Sequence, residues 1–353
     1  MTGFDRRPGP ANQAFTGDKR SRLGKFRSML APSGIHHVTA IASDPQRNID
    51  FYAGVLGLQL VKRTVNFDDP TTYHFYFGDE IGRPGSLLTF FPWPNARRGR
   101  QGAGQAAVTS FAIVPGSVGF WIERLLKQGI EFEQPVTRFD GERVIALKDP
   151  DGLLLELVSH QRVEQCEPRA DLGAEAQVPS VHGIRGVYSV TLWQDGHQQT
   201  AELLTGSLGF ELVREQGSIF RYTSNDSKPG SIVDLRIVKG LWPGVIGAGT
   251  VHHVAFRATN GETQLSVRSE LESGGYNVTP VMNRDYFESV YFREPGGVLF
   301  EVATDGPGFT IDEPVATLGR ALQLPAWLEP RRFEIEALLP NIHLPLDLPG
   351  PNA

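Results

Sequence analysis

The sequence predicts an α+β fold of four strand–helix–strand–strand–strand (βαβββ) modules that form two barrel-like domains. Two internal repeats indicate this architecture. The residues Tyr-Ala-Gly-Val-Leu-Gly-Leu-Gln-Leu-Val at 52–61 return as Leu-Thr-Gly-Ser-Leu-Gly-Phe-Glu-Leu-Val at 204–213. Likewise, Lys-Asp-Pro-Asp-Gly-Leu-Leu-Leu-Glu-Leu-Val at 148–158 returns as Arg-Glu-Pro-Gly-Gly-Val-Leu-Phe-Glu-Val-Ala at 293–303. Such repetition indicates a repeated structural unit, so the chain is predicted to consist of two similar halves.

Composition limits the classes of protein to consider. The chain has 353 residues, enough for two domains, and with 40% hydrophobic and 21% charged residues it is globular in type. No apolar run reaches the roughly 18 residues of a membrane span, so we expect no membrane partner. The net charge of −6 argues against a general nucleic-acid binder. Because Cys166 is the only cysteine, a metal would have to be held by histidines and carboxylates.

The ends of the chain differ from its middle in composition. Residues 1–33 carry seven Lys/Arg against two Asp, and no apolar segment follows Arg6 and Arg7 as an export signal would require. We therefore expect a mobile tail and a cytoplasmic protein. The predicted organisation is a mobile basic tail, the N-terminal pair of modules, a polar linker, the C-terminal pair of modules and a Pro-rich C-terminal strap, at residues 1–33, 34–160, 161–182, 183–305 and 306–353, respectively.

The first module is predicted from its periodicity. Apolar residues at Ile49, Phe51, Tyr52 and Val55 have helical spacing, and Gly57 ends the helix. Aromatic and β-branched runs between turn residues predict the strands. The predicted elements are a strand at 35–41, a helix at 45–55 and strands at 58–66, 73–77 and 86–91. The other modules span residues 105–160, with a helix at 118–128, then 184–242 and 247–304.

Two histidine doublets occupy equivalent places at the starts of modules one and four. They are His36-His37-Val-Thr and His252-His253-Val-Ala. Because side chains alternate along a strand, only one histidine of each doublet should face a given side. The apolar residues that follow at alternate positions, such as Val38, define the face that a helix covers. His37 and His253 are therefore the predicted metal ligands, and the other two histidines should lie beside the site.

Glu301 lies inside an otherwise apolar strand at the end of module four. A charge there is costly unless it is paired or binds a metal. Two imidazoles and one carboxylate form the ligand set of non-haem Fe(II) oxygenases, so we predict an iron site at His37, His253 and Glu301. Glu156 holds the equivalent place in module two, but that module offers no histidine. We interpret Glu156 as a structural salt-bridge or cap residue.

The distribution of ligands predicts how the modules pair. Module one ends in Leu-Thr-Phe-Phe at 88–91, without a carboxylate, and module three opens with Tyr-Ser-Val at 188–190, without a histidine. Only modules one and four supply ligands, so they should share one barrel, and modules two and three the other. His74, amid aromatic residues, is a competing candidate for contact with the site.

Several motifs resemble a known family. The segments Gly-Ile-His-His-Val-Thr-Ala at 34–40 and Phe-Tyr-Ala-Gly-Val-Leu-Gly-Leu at 51–58, with the four modules, resemble the vicinal oxygen chelate superfamily. The segments at 65–79 and 85–93, together with Leu-Pro-x-x-Leu-Glu-Pro-Arg-Arg at 324–332, resemble its hydroquinone ring-cleaving dioxygenases, which include dichlorohydroquinone dioxygenase. The resemblance extends over about residues 34–346.

This resemblance implies ferrous iron held by two histidines and a glutamate, an extradiol-type opening of a para-hydroquinone with O2, and a small aromatic substrate. A homo-oligomer is compatible with it. Arg284 would balance developing negative charge, and Tyr291 or His252 would move protons. By the same resemblance, His36 and Thr39 would lie around the ligands, beside the substrate.

Two alternatives stay open at this point. A glyoxalase-type isomerase or glutathione-dependent transferase would have the same fold, but such sites generally need a fuller ligand set from both paired modules, and neither Thr89 nor Phe90 supplies the missing carboxylate. A protein that only sequesters a ligand would not need three metal ligands, so iron content would distinguish it.

Overall fold

The computed structural model describes residues 31–139, 141–166, 177–224 and 229–344. Most of the predicted N-terminal tail, the middle of the predicted linker and the end of the predicted strap therefore lie outside the described residues. In the part of the chain that is described, no helix is both long enough and apolar enough to cross a membrane.

Module one has the predicted order of elements. The Asp44 side chain accepts a hydrogen bond from the backbone N–H of Arg47 (2.9 Å) and so caps the helix, which ends before Gly57 in the left-handed region (φ 67°). The second half of the predicted helix is a π-helix, and the third strand starts four residues earlier than predicted. The elements are β1 (Ile35–Ala42), α1 (Pro45–Ile49) continued by the π-helix Asp50–Val55, β2 (Gln59–Asn66), β3 (Asp69–Gly78) and β4 (Leu87–Pro92).

The other three modules repeat this order. Module two contains β5 (Gln105–Ile113), α2 (Val118–Lys127), β6 (Val136–Arg138), β7 (Glu142–Lys148) and β8 (Leu154–Ser159). Module three contains β9 (Val187–Gln194), α3 (Gln198–Gly206), β10 (Glu211–Gln216), β11 (Ile219–Thr223) and β12 (Ile232–Ile237). Module four contains β13 (Val251–Ala258), α4 (Gly261–Ser273), β14 (Met282–Asn283), β15 (Phe287–Arg293) and β16 (Leu299–Pro307).

The sixteen strands form two curled eight-stranded sheets, and each sheet combines two modules. The first has the order β14-β15-β16-β13-β1-β4-β3-β2, so modules four and one meet through the antiparallel pair β1 and β13. The second has the order β10-β11-β12-β9-β5-β8-β7-β6, so modules three and two meet through β5 and β9. The predicted fold and pairing of modules are confirmed.

The two faces of the first sheet have different contents. Val38, Val254 and Phe256 point into the main hydrophobic core, together with residues of the helices. Ala255, between two of them in sequence, belongs instead to a smaller cluster on the concave face. Alternation along the strands thus places Val38, Val254 and Phe256 where sequence analysis expected them, and the concave face combines polar side chains with this smaller cluster.

The segment after β16 crosses the first sheet. Phe309 packs against Tyr76 (ring centroids 5.0 Å), and Leu322 bridges to Arg63 of β2. The fully buried Lys62 forms ion pairs with Asp312 and Glu313 of this segment. The short helix α5 (Arg332–Leu338) follows.

Candidate metal centre

Each histidine doublet lies at an irregularity in the pairing of β1 with β13. Between Ile35 and His37 the partner strand advances by only one residue, so His36 is an extra residue on β1; His252 is likewise extra on β13. Such β-bulges redirect side chains. Both rings of a doublet therefore lie close together, with Nδ1 to Nδ1 distances of 2.9 Å for His36 and His37 and 2.8 Å for His252 and His253. Simple alternation, on which the sequence argument relied, does not hold here.

Three side chains converge on the concave face of the first sheet. The Nε2 atoms of His37 and His253 are 3.3 Å apart, and the Oε2 of Glu301 is 3.4 Å from the first and 2.9 Å from the second. All three residues are buried. The structure thus brings together the three predicted ligands from modules one and four.

The spacing of these donor atoms suits a metal ion. A metal about 2.1 Å from each of three ligands at right angles would hold them about 3.0 Å from one another. The observed separations of 2.9 to 3.4 Å are close to that value. The buried Oε2 of Glu301 also has no hydrogen-bond partner among the described residues. A buried carboxylate oxygen without a donor is costly, and a cation would satisfy it.

Ser289 holds the other oxygen of this carboxylate. Its hydroxyl donates to Oε1 of Glu301 at 2.5 Å, and both side chains are fully buried. Burial alone would raise the pKa of Glu301, but without a metal the imidazoles of His37 and His253 hold it well below its ordinary value whenever they carry a proton on Nε2. Sequence analysis missed Ser289, although its position two residues before Tyr291 on β15 places both on the concave face.

A backbone carbonyl fixes the tautomer of His37. Nε2 of His36 lies 3.1 Å from the carbonyl oxygen of Thr304, which can only accept, so this nitrogen carries a proton. Burial, and then His37, lower the pKa of His36 to about 3, so its Nδ1 is an acceptor. His37 must then donate from Nδ1, which leaves the lone pair on its Nε2, the atom that points at Glu301. Partners of this kind orient histidine ligands in metal sites.

His252 is held differently from His36. Its Nδ1 contacts Nδ1 of His253, but its Nε2 makes no hydrogen bond to a described residue, and its ring lines a pocket. Burial, followed by His253, lowers its pKa to about 3. His36, by contrast, is 2% exposed and does not line that pocket. Of the two, His252 is the one placed to contact a bound molecule.

The pocket above His37, His253 and Glu301 has a volume of about 300 Å³, at the small end of ligand sites and suited to a single aromatic ring. Its lining comes from modules one and four and comprises His37, Asn66, Phe67, Asp68, His74, Tyr76, Phe91, Trp93, His252, His253, Arg284, Phe287, Tyr291 and Leu299. Of the predicted site residues, His36, Thr39 and Glu301 lie behind this lining.

Arg284 and Tyr291 form a polar pair on the module-four side of the pocket. Nε of Arg284 donates to the Tyr291 hydroxyl at 3.3 Å, and its other nitrogens reach Asp68, an exposed residue of module one (3.3 Å). The Tyr291 ring lies 5.7 Å from the His253 ring. Burial and the nearby Glu301 raise the pKa of Tyr291, so its hydroxyl keeps its proton.

Module one contributes neutral groups at the corresponding place. Thr89 pairs with Thr39 as Glu301 pairs with Ala255, so Thr89 occupies the counterpart of the Glu301 position. Its hydroxyl contacts Thr39 (2.7 Å) and Nε2 of His74 (3.0 Å). His74, a competing candidate from the sequence, therefore lies on the pocket wall and outside the group formed by His37, His253 and Glu301.

The second sheet carries an ion-pair cluster in place of this centre. Val108 and Ser189 occupy the positions that His253 and His37 hold in the first sheet. Glu156 forms a two-point ion pair with Arg138 (2.9 and 2.7 Å) and accepts from Ser110 (2.7 Å). This pairing confirms the structural interpretation of Glu156.

Comparison with known proteins identifies the family. The model of the Glyoxalase/Bleomycin resistance protein/Dioxygenase superfamily matches residues 34–157 and 187–302. The chain belongs to this superfamily. The putative ring-cleaving dioxygenase MhqO of Bacillus subtilis is 47% identical over 308 residues, which are 87% of this chain and 96% of that protein.

Two further relatives extend the comparison. The chlorohydroquinone/hydroquinone 1,2-dioxygenase of Sphingobium indicum is 31% identical over 86% of this chain and 94% of its own. A crystal structure of a putative dioxygenase from Bacillus subtilis is 45% identical, with a TM-score of 0.83 over 89% of this chain and 98% of that one. These relatives confirm the predicted superfamily and the prediction that the chain is an enzyme, an oxygen-incorporating dioxygenase.

Proposed function

We propose that the chain is an Fe(II)-dependent dioxygenase of the extradiol type that opens the aromatic ring of a hydroquinone, a para-diphenol, with O2. The observation that carries the proposal is the convergence of two imidazole nitrogens and one carboxylate oxygen beneath a pocket for a single ring. This is the ligand set of non-haem iron oxygenases. The name of the Sphingobium relative supports the choice of substrate.

His37, His253 and Glu301 would hold the iron, which supplies the electron transfer that dioxygen needs to react with a closed-shell aromatic ring. The absence of a carboxylate at Thr89 favours this chemistry over a glyoxalase-type reaction, which we expect to need a fuller ligand set that includes a carboxylate from module one. His36 would fix the orientation of His37 through Thr304.

The module-four residues would handle charge and protons. Arg284 places a positive charge beside Tyr291 and would stabilise the substrate's ionised oxygen. Because Tyr291 accepts from Arg284, its own proton is free to be donated. If His253 binds metal through Nε2, it donates from Nδ1 to His252, which would then hold its proton at Nε2, facing the pocket.

The test is anaerobic reconstitution with Fe(II), followed by oxygen uptake with hydroquinones and catechols. We expect uptake with hydroquinones, one O2 per ring opened, and none when Zn(II) replaces Fe(II). The informative pair of variants is Glu301→Gln and Glu156→Gln, which change equivalent positions in the two sheets. The first should lose iron and activity, and the second should keep both. Equal iron content in the two variants, or uptake with catechols alone, would contradict the proposal.

A further inference from the structure

A pseudo-twofold axis relates the two halves of the site. His37 pairs with Ala255 and Thr39 with His253 across β1 and β13, so modules one and four are exchanged by the rotation. On the next strands, Tyr76 pairs with Thr89 as Tyr291 pairs with Glu301. Tyr76 is therefore the counterpart of Tyr291.

The same rotation relates the groups that support Thr89 and Glu301. In module four, Ser289 donates to Glu301; in module one, His74 lies at the equivalent position and contacts Thr89. The Tyr76 hydroxyl lies 2.9 Å from Nδ1 of His74. The module-one half thus holds a continuous hydrogen-bonded chain, which we call the hydroxyl–imidazole chain: Tyr76, His74, Thr89 and Thr39.

Only one end of the hydroxyl–imidazole chain reaches the pocket. Thr39 and Thr89 are fully buried behind the wall, whereas His74 and Tyr76 line the pocket. Burial lowers the pKa of His74 well below its ordinary value, so the hydroxyl–imidazole chain carries no charge. A neutral imidazole donates from one nitrogen and accepts at the other, so the Tyr76 hydroxyl keeps either a free lone pair or a free proton. A ligand in the pocket could use this remaining lone pair or proton of the Tyr76 hydroxyl.

The two halves therefore offer different chemistry to one molecule. Module four presents the charged Arg284 with the Tyr291 hydroxyl beside Glu301, and module one presents a neutral hydroxyl and imidazole. A para-diphenol bound to a metal would use both sets of groups. Its oxygen at the metal would be ionised and suits the positive charge of Arg284, whereas its oxygen across the ring would be a neutral hydroxyl and suits the neutral groups of module one. Aromatic rings of Phe91, Trp93 and Phe287 line the space between.

We infer that the hydroxyl–imidazole chain binds the second oxygen of the aromatic substrate through Tyr76 and so selects a ring with two oxygens over a ring with one. This inference rests on the proposed function, because it takes the first oxygen to lie at the metal. Tyr76 makes the contact, His74 orients its hydroxyl, and Thr89 orients His74.

The test compares hydroquinone with phenol, which has only the metal-binding oxygen, as ligands of the Fe(II) protein without oxygen, by calorimetry. One hydrogen bond corresponds to about three- to tenfold in affinity. Tyr76→Phe should weaken hydroquinone binding by that factor and leave phenol binding and iron content unchanged. Tyr73→Phe is the matched control on the same strand, since its hydroxyl donates to the Pro340 carbonyl and does not line the pocket. It should change neither affinity.

Thr89→Val removes the hydrogen bond between Thr89 and His74 without changing a residue that lines the pocket. It should also weaken the binding of hydroquinone and leave that of phenol unchanged. If Tyr76→Phe folds poorly, the hydroquinone and phenol affinities of Thr89→Val test the inference by themselves. Equal weakening for hydroquinone and phenol, or unchanged hydroquinone binding in both variants, would overturn the inference. If the wild-type protein prefers hydroquinone through Tyr76 but consumes no oxygen with it, the proposed function fails and the inference stands. If the wild-type protein consumes oxygen with hydroquinone but Tyr76→Phe leaves the ratio of hydroquinone affinity to phenol affinity unchanged, the inference fails and the proposed function stands.

Discussion

Replacement of His36 by phenylalanine tests whether a residue in direct contact with the proposed metal ligand His37 determines metal affinity. The variant keeps a planar ring beside Phe287, which lies 5.1 Å from the imidazole, but it removes two hydrogen bonds. Those bonds join His36 to His37 (2.9 Å) and to the Thr304 carbonyl (3.1 Å). Both partners are buried, so Nδ1 of His37 and the Thr304 carbonyl would each lose this hydrogen bond where water cannot readily replace it.

The structure sets the expected size of the effect. Each unpartnered buried group costs about 1–3 kcal/mol, so the metal-free variant should lose about 2 kcal/mol or more of its free energy of unfolding. Loss of the group that orients a histidine ligand typically lowers metal affinity about 10- to 100-fold, or roughly 1.4–2.8 kcal/mol. Urea unfolding measures the first quantity, and anaerobic competition with a chelator for Fe(II) measures the second.

His252→Phe is the matched control. His252 occupies the equivalent place in β13 but has one hydrogen bond to a described residue and no carbonyl anchor. His252→Phe should therefore lower the free energy of unfolding less than His36→Phe does. It should reduce turnover more, because the His252 ring lines the pocket. An Fe(II) affinity of His36→Phe within twofold of wild type would refute the argument that Thr304 fixes the ligand tautomer.

Three further predictions follow from the geometry. His37→Ala should lose most of its iron by metal analysis yet stay folded by circular dichroism; full iron occupancy would remove module one from the site. Tyr291→Phe should keep its iron but lower the rate of oxygen consumption by roughly 100-fold, the order expected for one acid–base group, and a wild-type rate would leave it no role in proton transfer. Lys62→Met should lower the free energy of unfolding by about 3–5 kcal/mol, because it leaves Glu313 buried and unpaired. Lys127→Met, which breaks an exposed ion pair, should change the urea midpoint little; equal midpoints in the two lysine variants would contradict the argument.

The sequence was sufficient for the module order and for the choice of the three side chains that the structure brings together, His37, His253 and Glu301. Alternation correctly predicted the buried face for the apolar residues that follow each doublet, and the equivalent histidine doublets with Glu301 indicated modules one and four as partners. Those signals are local or repeated, so they can be read without coordinates. The bulges at His36 and His252 could not be predicted, because a bulge depends on how the partner strand pairs.

The residues that hydrogen-bond around the three converging side chains were harder to predict from the sequence than those side chains themselves. Ser289 and Thr89 are ordinary strand residues whose partners lie 12 and 50 residues away in the chain. His74 was singled out, but its contact with Thr89 follows from the pairing of β3 with β4. Such contacts are set by sheet register, which the sequence constrains only through the pattern of buried residues.

The nested order of the modules has a consequence for how the protein is made. Modules two and three are neighbours in the chain and together form one complete sheet. In the other sheet, β1 cannot pair with β13 until that strand, more than 200 residues later in the chain, has been synthesised. Closure of so long a loop is slow, and domains generally fold as they leave the ribosome. We therefore expect the inner sheet to form first and to bring the ends of the outer one together. Until then, β1 exposes an unpaired edge that is open to wrong partners, so the interval between synthesis of module one and module four is the period of greatest risk of aggregation.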